Sequence, residues 1–187
     1  MKNIRILLFF LFLGTYVIGV AAGSIGQVKS ARQAEMYDYL SSAVTEYNAN
    51  ASKSIKSVAA DNIKLFLPVA AGGLFKAGIL IIAAVIFIKG YSAGFSVTAV
   101  LRLYGIRGIV LCGANFLSIL FIIPALAYYG SVSAYGLIWE FEERRQFYKR
   151  YFFCIVILAL IMLADSFTRG FLSSLFMKFA DVITKTA

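Results

Sequence analysis

Three ionisable side chains stand inside otherwise apolar stretches: Lys76, Asp165 and Arg169. A charge at membrane depth is costly, and where one occurs it marks an ion or substrate path or a paired interfacial site. Asp165 and Arg169 are four residues apart, a spacing that brings two side chains onto one helix face, so they read as an interfacial ion pair. Lys76 falls near the expected outer end of a spanning helix, where its stem can snorkel toward water. A buried functional lysine is the sharper alternative. Other chemistry is sparse. The chain has no His, and Glu140, Glu142 and Glu143 stand beside Arg144 and Arg145 as a solvated loop face would. Cys112 and Cys154 each lie in an apolar run, without the spacing of a metal site or a disulfide framework. No phosphate-binding loop of the Walker type occurs, and the glycines of "GYSAG" belong to helix packing. The expectation is therefore no catalysis, no metal and no cofactor.

Those few charges must be positioned by lipid-soluble elements. The chain has 187 residues, 61% hydrophobic and 14% charged, with mean hydropathy +0.84. Soluble domains are nearer half apolar and a quarter charged, and a globule this small could not hide so much apolar surface. The fold class expected is all-α, a polytopic membrane protein with about five transmembrane helices. The net charge of +9 suits lysines and arginines anchoring helix ends at anionic headgroups. No basic stretch is interleaved with aromatics as a nucleic-acid surface would be.

Residues 1–23 read as the first transmembrane helix, with Lys2 and Arg5 ahead of an apolar run from Ile6 to Ala22. A cleaved signal peptide competes with that reading, because Val20-Ala21-Ala22 resembles a cleavage site. Residues 24–64 are the only substantial polar segment and read as a short helical extracytoplasmic connector. Ala31, Ala34, Tyr37, Leu40 and Val44 recur at helical spacing, and Val44, Tyr47, Ile55 and Val58 extend the stripe. Residues 65–187 form the rest of the membrane domain. Pro68 and Gly72-Gly73 predict a half-helix near 63–71 and a spanning helix near 73–88, closed by Lys89-Gly90. Residues 91–104 then form a short helix rising only about 21 Å, thinly spanning or re-entrant. The next helix covers 109–129, kinked at Pro124 and closed by an aromatic belt of Tyr128 and Tyr129. The last span begins at Tyr151, and Phe171, Leu172, Leu175, Phe176 and Phe179 give its tail an interfacial apolar face.

Two small-xxx-small pairs, Gly19 with Gly23 and Gly90 with Gly94, allow helices to approach closely. Packing within the chain and homo-oligomerisation are both open to them. The bases Arg144, Arg145, Lys149 and Arg150 supply the strongest positive-inside signal. With five spans the N-terminus lies in the cytoplasm and the C-terminus outside.

The stretch "FIKGYSAGFSVTAVLRLYGIRGIV" and the following "FIIPALAYYG" resemble stage II sporulation protein M, a multi-pass family of endospore-forming bacteria. The resemblance rests on Phe87 to Ser96, Gly105 to Gly108 and Ile123 to Leu126, with a first helix ending in small residues. It covers roughly residues 1–130. The chain departs from the family pattern at "ANFLSILFIIPAL", which lacks the proline of a Leu-Pro element usual before that helix. The resemblance implies a non-catalytic membrane scaffold of the engulfment machinery, in the mother-cell membrane at the sporulation septum. Its implied partners are the peptidoglycan hydrolases called stage II sporulation proteins P and D, beside membrane lipid. The alternative is a permease subunit working with a separate ATPase, since broken helices and internal charges also mark transporters.

Overall fold

The computed structural model describes residues 2–29, 51–105, 108–139 and 144–185, with side chains described over 3–26, 59–102, 105, 112, 119–138 and 148–168. The described residues form the helices α1 (Lys2–Lys29), α2 (Ala51–Gly72), α3 (Gly78–Tyr104), α4 (Gly108–Trp139) and α5 (Arg144–Lys185), with a turn over 73–77 between α2 and α3. Four of them contain stretches long and apolar enough to cross a membrane: Asn3–Gly26, Gly78–Arg102, Ile119–Ile138 and Tyr148–Thr168. A multi-pass helical membrane protein requires this pattern. Leu7, Phe10, Leu11, Val17 and Ile18 leave one side of α1 apolar and exposed, which is tolerable in lipid and a liability in water.

Contacts along each helix fix its direction. Gly19 and Gly23 of α1 meet Phe87, Tyr91 and Phe95 of α3 in rising order, so these two helices run parallel. Arg5 lies against Tyr135, while Phe12 lies against Gly130, so α4 runs antiparallel to α1. Tyr129 of α4 meets Tyr151 of α5, and Phe121 and Pro124 lie beside Leu158 and Ile161, so α5 turns back along α4. Asn62 of α2 reaches Met162 and Asp165, while Ala70 reaches Tyr151, so α2 opposes α5. The helices therefore alternate in direction from α1 to α5. One end of the bundle gathers Arg5, the turn containing Lys76, and Lys149 and Arg150; Arg102 lies at the other end. Between the ends, Phe12, Val69, Ile82, Ile86, Ile122, Leu126, Leu158 and Met162 fill the core.

The helix boundaries differ from the sequence expectation in a consistent way. Residues 73–88 and 91–104 are not two helices, because α3 runs unbroken through Lys89-Gly90 from Gly78 to Tyr104. Lys89 consequently lies near the middle of α3 and is half-buried rather than placed at an interface. The break expected at Gly72-Gly73 is present over Gly73–Ala77, and the helix before it, α2, is longer than the expected half-helix, running from Ala51 through Pro68 to Gly72. A Cβ at Gly78 would collide with the Gly72 carbonyl, so this tight reversal needs glycine on both sides. The Gly78 amide donates to the Phe75 carbonyl at 2.9 Å within it. At the far end of α3, Gly105 adopts φ 59° and returns its amide to the Leu101 carbonyl, a conformation open to glycine and strained for other residues.

The helix expected to close at Tyr129 extends to Trp139, with Ser131, Ser133, Ala134 and Tyr135 buried. Pro124 lies inside α4 without ending it, as expected. The connector stripe over residues 31–47, Arg107 and the carboxylates at 140–143 lie outside the described residues. The tail residues 171–179 continue α5 as helix, and their side chains lie outside the described ones.

Candidate functional site

The four glycines singled out in the sequence face one another. A Cβ on Gly19 would strike the Phe87 carbonyl and lie 3.1 Å from the Tyr91 nitrogen. On Gly23 it would strike the Tyr91 carbonyl, with the Phe95 nitrogen at 2.9 Å. Gly90 and Gly94 return the arrangement, each against a backbone carbonyl of α1, those of Tyr16 and Val20. The two small-residue pairs thus form a single parallel seam within the chain. Ser24 extends it, donating to the Val20 carbonyl at 3.0 Å with the Gly94 carbonyl at 3.5 Å. In lipid this backbone approach supplies the dispersion contact that apolar side chains against acyl tails cannot.

A second feature joins α2 to α5. The side-chain nitrogen of Asn62 lies 3.1 Å from the Met162 carbonyl, 3.0 Å from Asp165 Oδ2 and 3.0 Å from Ser166 Oγ, and shares its two hydrogens among them. Ser166 in turn donates to the Met162 carbonyl at 2.9 Å. Asn62, Asp165 and Ser166 are all buried. A buried polar group is tolerable only when bonded, and more so where lipid replaces water. The group is therefore a clasp: α2 cannot slide along α5 without leaving Asp165 short of a donor.

The third feature closes the exposed end of α2. A helix leaves its last four carbonyls without helical partners. Here the Gly73 amide reaches the Val69 carbonyl at 3.2 Å and the Leu74 amide reaches the Ala71 carbonyl at 3.1 Å. Tyr129 adds its hydroxyl to the Val69 carbonyl at 3.3 Å, and the Tyr151 hydroxyl donates to the Ala70 carbonyl. The two rings pack with centroids 5.8 Å apart. Gly73 is required beneath them, since a Cβ there would run into the Tyr129 hydroxyl and the Tyr151 ring.

The charged candidates are not assembled into one site. Lys76 is exposed in the turn between α2 and α3, at the same end of the bundle as Lys149. Asp165 belongs to the clasp, about 21 Å further along α5 than Tyr151. The side chain of Arg169 lies outside the described ones, so its pairing with Asp165 is not part of the geometry. Sequence reasoning passed over Asn62, Tyr129 and Tyr151 as functional groups. Asn62 carried a signal: it stands where the apolar stripe of Leu65, Phe66 and Val69 would continue, four residues before Phe66. The tyrosines carried none, because interface aromatics and buried hydroxyl donors look alike in sequence.

Compared with protein families, with curated proteins and with solved structures, the chain matches none.

Proposed function

We propose that the chain is a non-catalytic membrane scaffold that holds partner proteins on its outer face. By the resemblance to stage II sporulation protein M, those partners are the septal peptidoglycan hydrolases, stage II sporulation proteins P and D. The observation that supports this reading is the mounting of residues 30–50. The helices flanking that polar segment are each fastened to the bundle, α1 by the glycine seam and α2 by the Asn62 clasp. A docking segment held at both ends loses less conformational entropy when a partner binds. The stretches that carry the resemblance also supply packing: Gly90 and Gly94 meet α1, while Ile123 and Leu126 are buried in the core. With the end bearing Arg5, Lys76, Lys149 and Arg150 taken as cytoplasmic, the helix ends that flank residues 30–50, at Lys29 and Ala51, lie at the outer end, where wall hydrolases work.

The test is a detergent pull-down of the tagged protein from sporulating cells, with co-purifying proteins identified by mass spectrometry. A second form replaces residues 30–50 with a Gly/Ser linker of equal length. Hydrolases captured by the intact chain and lost from the linker form are expected. Capture of neither hydrolase, with septal wall thinning intact in the deletion strain, overturns the proposal.

One observation favours the permease reading. Lys89 is half-buried near mid-span of α3 and Asp165 is buried in α5, and intramembrane ionisable groups mark transport paths. On that reading a separate ATPase co-purifies, and Lys89→Met abolishes transport without loss of protein. Lys76, exposed at the end of the bundle, is not the residue to test.

A further inference from the structure

Beside the turn joining α2 to α3 lies an open hollow of about 870 Å3, lined by Leu74, Tyr148, Lys149, Tyr151, Phe152, Phe153 and Val156. Its walls are almost wholly apolar, and Phe152 and Phe153 are among the most exposed large side chains of the described residues. Among the described residues that line it, Lys149 alone carries a charge. Among the described residues Lys149 has no acidic partner. It lies at the bundle end that also holds Arg5, Lys76 and Arg150.

We infer that this hollow is a binding site for one anionic phospholipid, its acyl chain against Leu74, Phe152, Phe153 and Val156 and its phosphate against Lys149. Three observations converge on that occupant. Its lining from Tyr148 to Val156 belongs to the apolar stretch Tyr148–Thr168, long enough to cross a membrane. Its lining suits a hydrocarbon chain and offers little to a polar solute. The ionic group among its described lining is an exposed ammonium, a point charge suited to a phosphate oxygen. Lysines near a membrane surface attract anionic headgroups in this way. Leu74 belongs to the reversal between α2 and α3, so an acyl chain there would brace the least regular part of the bundle from outside. The inference does not depend on which proteins the scaffold holds.

Native mass spectrometry of the delipidated protein, titrated with dioleoyl phosphatidylglycerol or dioleoyl phosphatidylcholine, tests it. One equivalent of phosphatidylglycerol should bind about fivefold more tightly than phosphatidylcholine, the preference one surface lysine supplies. Lys149→Gln should abolish the preference, and Leu74→Trp, which fills the hollow, should weaken both lipids. Arg102→Gln, at the opposite end of the bundle, should change neither. Lys149 is exposed, so its loss leaves the fold intact, and the Leu74 variant reads the same site without touching the charge. Equal binding of the two lipids, or a preference that survives both Lys149→Gln and Leu74→Trp, overturns the inference.

Discussion

Alanine substitutions at the glycine seam should divide by sign according to what the new methyl group meets. Gly14, Gly23 and Gly94 all lie inside helices, where replacing glycine with alanine gains about 1 kcal/mol of helix propensity. At Gly14 nothing lies within 4 Å of the added carbon, so that gain should be realised in full. At Gly94 the carbon would sit on the Val20 carbonyl, and at Gly23 on the Tyr91 carbonyl. Both obstacles are backbone of a regular helix and cannot rotate away. The helices must separate by about 1 Å, and a gap of that size forfeits a quarter to a half of each dispersion contact along the seam. Overpacking of this kind costs about 1–3 kcal/mol, which exceeds the propensity gain. Gly23→Ala and Gly94→Ala should each lower the midpoint of unfolding in detergent, followed by far-UV circular dichroism, while Gly14→Ala holds or raises it. The double variant should cost less than the two singles together, because a seam already opened by one methyl accommodates the other. If Gly23→Ala and Gly94→Ala prove as stable as Gly14→Ala, α1 and α3 do not touch through their backbones and the seam is misassigned.

Removing the clasp's donor with Asn62→Ala should cost about 1–3 kcal/mol by the same unfolding measurement, since buried Asp165, Ser166 and the Met162 carbonyl each lose a hydrogen bond. A double-mutant cycle with Ser166→Ala should return a coupling of about 0.6 kcal/mol and no more than about 1.7 kcal/mol, the range for hydrogen bonds between membrane helices. Tyr151→Phe should destabilise more than Tyr129→Phe, because the Val69 carbonyl keeps the Gly73 amide when Tyr129 is truncated, whereas the Ala70 carbonyl keeps only the long 3.5 Å contact of the Tyr129 hydroxyl when Tyr151 is; equal losses would show that the hydroxyls do not serve these carbonyls. Single cysteines introduced as Lys76→Cys and Lys149→Cys, with Cys112 and Cys154 replaced by Ser, should react with an impermeant maleimide from one face of the membrane. Arg102→Cys should react from the other face, and any other pairing contradicts the alternation of helix directions.

The helical, lipid-soluble character of the chain was legible in composition and periodicity, because a bilayer constrains length and hydropathy more tightly than water does. The small-residue pairs were legible as packing faces. Their mutual partnership was not, since the same spacing serves a neighbouring helix or a second chain. The break at Gly72-Gly73 was legible, and the one expected at Lys89-Gly90 was misjudged. Lys89-Gly90 has the look of a helix end, a cation followed by glycine, yet α3 passes through it. Pro68 has the look of a helix breaker, yet α2 carries it for another turn to Gly72. In each case local propensity, worth roughly 1–3 kcal/mol, is outweighed by packing that sequence spacing does not display.

Glycine here has two opposite uses, and what the missing Cβ would meet separates them. At Gly90 and Gly94 it would meet the backbone of another helix, so the residue keeps its helical conformation and draws α1 close. At Gly72 and Gly78 it would meet the chain's own backbone across the reversal, so the residue permits a turn. Both uses leave glycine amid apolar residues, and only the partner differs. This accounts for a break at 73–77 and none at 89–90. It also accounts for the parallel course of α1 and α3: a parallel pair needs an intervening pass in the opposite direction, and α2 supplies it. Gly78→Ala should therefore act on the α2–α3 turn and leave the seam intact, whereas Gly94→Ala should loosen the seam and leave the turn intact. Disulfide trapping can separate the two effects, with one cysteine pair placed across α1 and α3 and another across the turn.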